Sequence, residues 1–313
     1  MKILSIIVPH YNDLFFLKKK IESLSKIEND EIEIIIVDDG SNKECQDYIN
    51  SIINVHKNIK FIIHEKNVGV VNLLNYAITK YNTAKFILTS SADDIVNVNY
   101  LDNLLEILKK NNNFKVFTSK PIFFKSENND YRYYDAYTGF KKSEFISPEN
   151  FISILNTKIF AIWGHATIYR KDVYYDLNFF KENHGMYCDW YFAHVAALKY
   201  GIYYLAEPIA YFFQRENSLY HASNFTDDKK KDLIKNMLND IIKDHPELVK
   251  RFNISNIFTL LGSNFLDVTN NNQQYKNFTN NKYKFYLRLK NLKILMSPLY
   301  KLKSFLIKYI KTR

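Results

Sequence analysis

Two pairs of adjacent aspartates stand at the ends of apolar, β-branched runs: Asp38 and Asp39 in IEIIIVDDGS (residues 32–41), and Asp93 and Asp94 in KFILTSSADD (residues 85–94). An apolar run that breaks into acids is the pattern of a buried parallel strand whose carboxyl end opens onto a ligand crevice. Two such strand ends would line four carboxylates along one rim. A third run, residues 5–8, is followed by Pro9, Tyr11, Asn12 and Asp13, which add an aromatic face and amide groups. An apolar edge, a flat ring and clustered carboxylates together suit a nucleotide with a divalent cation on its phosphates.

The elements that must hold these acids are legible as an alternation. Residues 5–8, 32–37, 59–64 and 85–89 read as strands, and residues 13–27, 47–56, 67–81 and 100–110 read as helices with apolar side chains at helical spacing. The pattern predicts a mostly parallel sheet with helices on its faces over the first ~115 residues. From Phe114 the rhythm changes. The polar, tyrosine-rich stretch 127–139 reads as a loop over the crevice, and Ser147 caps a helix with Pro148 at its first position. Residues 163–169 read as a buried strand or turn, 189–200 as a helix, and 203–213 as a strand pair broken at Pro208. Beyond residue 222 the expectation is all helical: 227–244, a break at Pro246, 254–268, an asparagine-rich linker, then 282–296 and 299–311.

Composition narrows the function classes. A hydrophobic fraction of 47% with 24% charged residues is that of a soluble globular chain. Cys45 and Cys188 are far apart and outside any CxxC, so neither a disulfide framework nor a zinc cluster is expected. No window approaches the ~18 uninterrupted apolar residues of a spanning helix, and the first residues lack a signal-peptide cleavage site, which together predict a cytoplasmic protein. The net charge of +10 is concentrated at one end: eleven of the 43 basic residues follow Tyr275 with no acid among them, leaving 32 against 33 acidic residues in the rest. That distribution argues against a nucleic-acid channel through the main body and for an anionic partner at the C terminus. The absence of GxGxxG, GxxxxGK[ST], HExxH and GxSxG removes the usual sequence support for dinucleotide redox, P-loop, zinc-peptidase and serine-hydrolase chemistry.

The segments SIIVPHYND, IIIVDDGS, NVGVVNLLNYA, SSADD, YCDWYF and GIYYLAEPIAYF occur in the order found in family 2 glycosyltransferases, which this chain resembles over roughly residues 3 to 220. The resemblance implies a GT-A fold, that is, an α/β, Rossmann-like, mostly parallel sheet flanked by helices. It is expected over residues 1–222, with a nucleotide-sugar half to about residue 115, an acceptor half over 116–222 and a helical, basic extension over 223–313. It implies nucleotide binding by Pro9, Tyr11, Asp39, Asn67, Gly69 and Asp94, with the Tyr11 ring stacked on the base and Asp39 bonded to it. Asp93 is implied as the ligand of Mn²⁺ or Mg²⁺, with Asp94 as second ligand or its support, and Asp189 as the general base that takes the acceptor hydroxyl's proton. Two departures stand out: Ser91 occupies the first acidic position of the commoner DADD pattern, and Leu74 stands where an arginine often lies.

Each of these residues also has a plainer structural reading. Asp189 is placed to cap the 189–200 helix. Trp163 and His165 lie either on the acceptor or diphosphate side or in the interior, and Arg215 either meets phosphate or is solvated. The QxxRW motif of processive members is absent, which points to transfer of a single sugar. The implied reaction is inverting transfer from a UDP-sugar to a hydroxyl of a surface polysaccharide or lipid-linked saccharide. The alternatives are a nucleotidyltransferase on a similar sheet and a catalytically silent membrane-associated scaffold. The amphipathic tail, with Leu299, Leu302 and Leu306 on one face and Lys301, Lys308 and Lys311 on the other, suits either an anionic inner-membrane surface or packing on the domain.

Overall fold

The computed structural model describes residues 2–124, 131–133, 140, 142–157, 160, 162–213 and 225–280. The first part repeats a strand–helix unit: β1 (Leu4–His10), α1 (Leu14–Leu24), β2 (Ile32–Asp38), α2 (Lys43–Ile52), β3 (Ile59–Ile63), α3 (Val70–Lys80) and β4 (Phe86–Thr89). β3, β2, β1 and β4 lie side by side in that order, all parallel, with Ile6 level with Ile34 and Leu88. Alternation explains the layering. Leu4, Ile6, Val8, Ile34, Ile36 and Leu88 enter one hydrophobic cluster, whereas Ile7, Ile35, Val37 and Ile87 enter a second. A strand that is apolar on both faces has to be covered twice. Leu17 and Ile21 of α1, Ile49 of α2 and Leu104 of α4 (Leu101–Lys110) join the first cluster, while Leu73, Ala77 and Ile78 of α3 join the second.

The chain continues through β5 (Ile95–Val96), β6 (Val116–Ser119), β7 (Ile122–Phe124), β8 (Tyr131–Tyr133), β9 (Glu144–Ile146), α5 (Pro148–Thr157), β10 (Thr167–Arg170), α6 (Lys171–Asp176), α7 (Cys188–Tyr200), β11 (Ile202–Leu205) and β12 (Ala210–Phe213). The main sheet extends from β4 as β10-β6-β11-β9, with β10 antiparallel to both neighbours. A second sheet has the order β5-β12-β7-β8. The helix expected over 47–56 begins instead at Lys43, because Asn42 accepts the Cys45 N–H at 3.1 Å. The one expected over 67–81 begins at Val70, after Gly69 at φ 85°. Within the stretch expected as a loop, Tyr131–Tyr133 pairs antiparallel with β7.

Three further helices follow, α8 (Asp227–Asp244), α9 (Val249–Ser255) and α10 (Ser263–Asn270). The continuous helix expected over 254–268 is interrupted, since Asn256 turns left-handed at φ 53° and Gly262 at φ 69°. The asparagine-rich stretch is anchored by buried Tyr275 and Phe278. Ile234, Met237, Phe252 and Phe265 belong to the cluster that also holds Ile7 and Ile35, so residues 227–280 share a core with the sheet. The helices expected over 282–296 and 299–311 lie outside the described residues. Among the described residues no helix is long and apolar enough to cross a membrane, and Cys45 and Cys188 are both buried and free.

The packing of α7 creates an acid-labile joint. His184 and His194 are fully buried, and burial holds both near pKa 4, opposed at His184 by its 2.7 Å contact with Asp240 and at His194 by the Trp190 carbonyl. Their folded values lie below the unfolded one, so the unfolded chain takes up protons first as pH falls from about 6.5. Between about pH 7 and about pH 5 each histidine is expected to remove about 2 kcal/mol of stability, with further loss toward pH 4. Urea unfolding at both ends of that window checks this: an unchanged midpoint would mean that neither imidazole is held neutral.

Candidate active site

The rim forms where β1, β2 and β4 end, because parallel strands bring their carboxyl ends to one edge at roughly 4.8 Å spacing. The Asp39 N–H bonds the His10 carbonyl at 2.8 Å and the Ser90 N–H bonds the Ile7 carbonyl at 2.9 Å, so the three exits stay in register. The two acids after β2 then divide their work. Asp38 is fully buried and accepts from the Ser41 hydroxyl at 2.5 Å and the Ser41 N–H at 2.9 Å. It also accepts a hydrogen bond from His10 Nδ1–H at 2.8 Å, while the Asp13 N–H donates to His10 Nε2 at 3.2 Å. Burial raises the Asp38 pKa, but the bonds from His10 and Ser41 outweigh it and leave the carboxyl below its ordinary value.

Asp39 faces the next loop instead. Its two oxygens accept the Val68 N–H at 2.8 Å and the Gly69 N–H at 3.0 Å, and only 3% of the residue is exposed. Gly40, at φ 67°, lets the chain pass against the backbone of Lys66 and Asn67, where a Cβ would meet Lys66 at 2.6 Å. Asn12, at φ 53°, ties the first two exits by accepting the Asn42 N–H at 2.7 Å and donating its own N–H to Ser41 Oγ at 2.9 Å. Tyr11 is left 48% exposed beside these loops, and Pro9 is half-buried on β1 opposite Val37. The fold thus gathers Pro9, Tyr11, Asp39, Asn67 and Gly69 at neighbouring exits. Leu74 packs against the core, in keeping with its apolar character.

After β4 the chain turns through Ser90 to Asp94. The Ser91 hydroxyl donates to Asp93, which stays half-buried at the rim. Asp94 is 6% exposed, and its oxygens are taken by the Phe213 N–H at 3.1 Å and by His165 Nδ1 at 2.5 Å. A carboxylate expected at the nucleotide is therefore already engaged by β12 and by an imidazole. The His165 side chain remains 38% exposed. Burial lowers its pKa, yet the bond and charge of Asp94, with the charges of Asp189 and Asp93, carry it above the ordinary value.

Asp189 sits in the first turn of α7, not at its cap: the cap position is Tyr187, which makes no side-chain capping bond. It is exposed, accepts the Trp190 N–H at 2.8 Å and is placed where carboxylates favour the positive end of the helix dipole. Gly164, which precedes His165, makes room for it, since a Cβ there would meet Asp189 Oδ2 at 2.8 Å. Asp93 and Asp94 from the β4 exit and Asp189 from α7 therefore converge around His165. Trp163 is 40% exposed and rests edge-on against Phe123 at 4.9 Å. Arg215 lies outside the described residues.

Sequence reading missed Lys20. It occupies the stripe of α1 between Leu17 and Ile21, where a lysine among apolar positions is the available signal, and it is 3% exposed beneath the Ser90–Asp94 turn. Burial lowers its pKa to about 8, against the opposing charges of Asp94 and Asp93. It also missed the buried His10, now seen locked to Asp38.

Among the described residues no group of three His, Cys, Asp or Glu side chains is arranged to hold a cation. An ion taking one or two carboxylates and completing its shell with phosphate oxygens fits this rim, at Asp93. A surface hollow lined by Lys2, Ile32, Ile59 and Lys60 lies at the amino ends of the strands, the edge opposite these acids.

A model of the glycosyl transferase family 2 matches residues 5–177, more than half of the chain, ending before Asp189. An uncharacterized glycosyltransferase of Haemophilus influenzae is 27% identical over 117 residues, which cover 37% of this chain and 36% of that protein. The match thus spans about a third of that relative's length. Among solved structures, S. aureus TarS 1-349 in complex with UDP-GlcNAc superposes with a TM-score of 0.65 at 18% identity, over 99% of this chain and 90% of that one. A mannosyltransferase from Pyrobaculum calidifontis, in complex with GDP-Man and Mn²⁺, gives 0.53 at 14% identity, over 98% and 84%. At these identities the likeness speaks for the architecture, while the match from β1 through α6 decides the family: the chain has the GT-A fold and belongs to glycosyl transferase family 2.

Proposed function

We propose that this glycosyltransferase is inverting and divalent-metal-dependent, and moves a single sugar from a UDP-sugar to a hydroxyl of a surface polysaccharide or lipid-linked saccharide. The observation that carries this reading is the convergence of Asp93, Asp94 and Asp189 on His165 across two separate elements of the fold. Tyr11 offers a half-exposed ring for the base, beside an Asp39 that keeps the Val68–Gly69 turn in place. Each carboxylate oxygen accepts more than one hydrogen bond, so Asp39 retains acceptor capacity toward a base N–H. That a neighbour of the same fold was solved with UDP-GlcNAc, and another with GDP-Man and Mn²⁺, supports a nucleotide-sugar donor and a divalent cation.

Asp93 would hold Mn²⁺ or Mg²⁺, which would supply positive charge against that building on the departing diphosphate. Asp189, exposed at the start of α7, takes the acceptor hydroxyl's proton as that oxygen attacks the anomeric carbon opposite the diphosphate. His165, whose pKa the Asp94 carboxylate raises against burial, lends a positive charge between them when protonated, and the exposed Trp163 ring is placed to stack on the acceptor sugar.

Thermal-shift titration with nucleotide sugars, with and without Mn²⁺, followed by product analysis, tests this reading. A Mn²⁺-dependent rise in melting temperature with a UDP-sugar, and release of UDP on transfer, are expected. Pyrophosphate release would favour nucleotidyl transfer, and no response to any nucleotide sugar would sink the enzymatic reading altogether.

A further inference from the structure

The buried amine of Lys20 is used by none of the steps above, and its placement is unusual. α1 turns Leu17, Ile21 and Leu24 into the core, and Lys20 shares that buried face, where an aliphatic side chain would pack without desolvating a charge. Its Nζ donates to Ser90 Oγ at 2.6 Å and to the Asp94 carbonyl at 2.7 Å. Those acceptors are the two ends of the turn that presents Asp93. Within the turn, the Asp94 N–H bonds the Ser91 carbonyl at a long 3.3 Å, and the Ser91 hydroxyl reaches Asp93. From Asp94 the restraint passes outward, because the carboxylate of that residue fixes His165 and the Phe213 N–H.

We infer that Lys20 is a positioning residue for the donor site, a built-in cation that spans the Ser90–Asp94 turn and holds Asp93 and the Asp94–His165 pair in their working geometry before any metal or nucleotide arrives. The inference rests on the reading of Asp93 as the cation's ligand. Adjacent carboxylates on a partly buried turn repel one another and draw the turn toward solvent. A buried positive charge behind the turn opposes that movement, and its two directed bonds fix the backbone on either side of Asp93.

Lys20→Met tests this, because methionine matches the length of the stem, suits the apolar stripe and removes both donors. Removing the amine leaves Ser90 Oγ and the Asp94 carbonyl buried without their donor, so the variant is expected to fold but to melt a few degrees below the parent. In the free protein, hydrogen–deuterium exchange is expected to rise for peptides covering residues 90–96 and to stay level elsewhere. With donor and Mn²⁺, kcat is expected to fall about a hundredfold, since misplacement of about 1 Å has that effect, while the acceptor KM holds within about twofold. Unchanged exchange over 90–96, or unchanged kcat, would overturn the role. Should Lys20→Met not fold, Lys20→Gln, which keeps a donor without the charge, is judged by the same two criteria. If the parent binds neither UDP nor Mn²⁺, the functional reading fails while the exchange comparison still decides whether Lys20 holds the turn.

Discussion

Asp189→Asn is expected to lower sugar transfer by about a hundredfold to ten-thousandfold, the range lost when a positioned general base is removed. UDP binding, measured by calorimetry in the presence of Mn²⁺, is expected to stay within about twofold of the parent, because the change is nearly isosteric and lies on α7, away from the β1 and β2 exits that hold Tyr11 and Asp39. The asparagine oxygen still accepts the Trp190 N–H, and the side chain still fills the space that Gly164 leaves open. The variant thus separates chemistry from folding. Gly164→Ala reaches the same group from the other side: its methyl would stand 2.8 Å from Asp189 Oδ2, so the carboxylate has to move. A loss of about tenfold to hundredfold in kcat is expected from that displacement. Full turnover in Asp189→Asn would take the base role away from this residue, whatever Gly164→Ala does.

Asp93→Asn is expected to act on a different quantity. The Ser91 hydroxyl keeps a partner in the asparagine oxygen, and Lys20 still spans the turn, so the fold is expected to persist. The carboxylate charge that this turn offers a divalent ion is removed, since Asp94 is committed to His165 and to the Phe213 N–H. Hard cations need charged oxygen donors, and an amide oxygen supplies only a dipole. Mn²⁺-dependent UDP affinity is expected to weaken by at least about a hundredfold, with transfer falling in step at fixed Mn²⁺ and partly recovering as Mn²⁺ is raised. Electron paramagnetic resonance of free Mn²⁺ during titration reads this directly. Equal Mn²⁺ uptake by parent and variant would remove Asp93 as the ligand.

The two substitutions differ because the acids sit at the ends of different elements. Asp93 follows a sheet strand whose exit also controls Asp94, whereas Asp189 opens a helix that meets the rim beside Gly164 and His165. On the proposed roles, such a site is expected to fail in separable modes, binding at one edge and proton transfer at the other.

Local pattern determined much of this protein. Runs such as IEIIIVDD carry their own instruction: β-branched residues apolar on both faces demand a doubly covered parallel strand, and the acids that end the run must lie at its carboxyl edge. That reasoning foretells the strands and the helices over them, because each depends on neighbours a few residues away, whereas Tyr11 comes beside Asp39 only once β1 pairs with β2. Tertiary structure decided which acid does what. Asp38 and Asp39 are adjacent in sequence, yet one is locked to His10 and Ser41 while the other fastens the Val68–Gly69 turn, 29 and 30 residues downstream. Asp94 meets His165 across 71 residues, Lys20 meets the Asp94 carbonyl across 74, and Asp189 settles against Gly164 only after β10 has run antiparallel into the sheet. Hydrogen bonding and charge pairing between distant segments follow from the spatial order of strands, which no local periodicity encodes, and it is those pairings that turn a row of carboxylates into distinct functional parts.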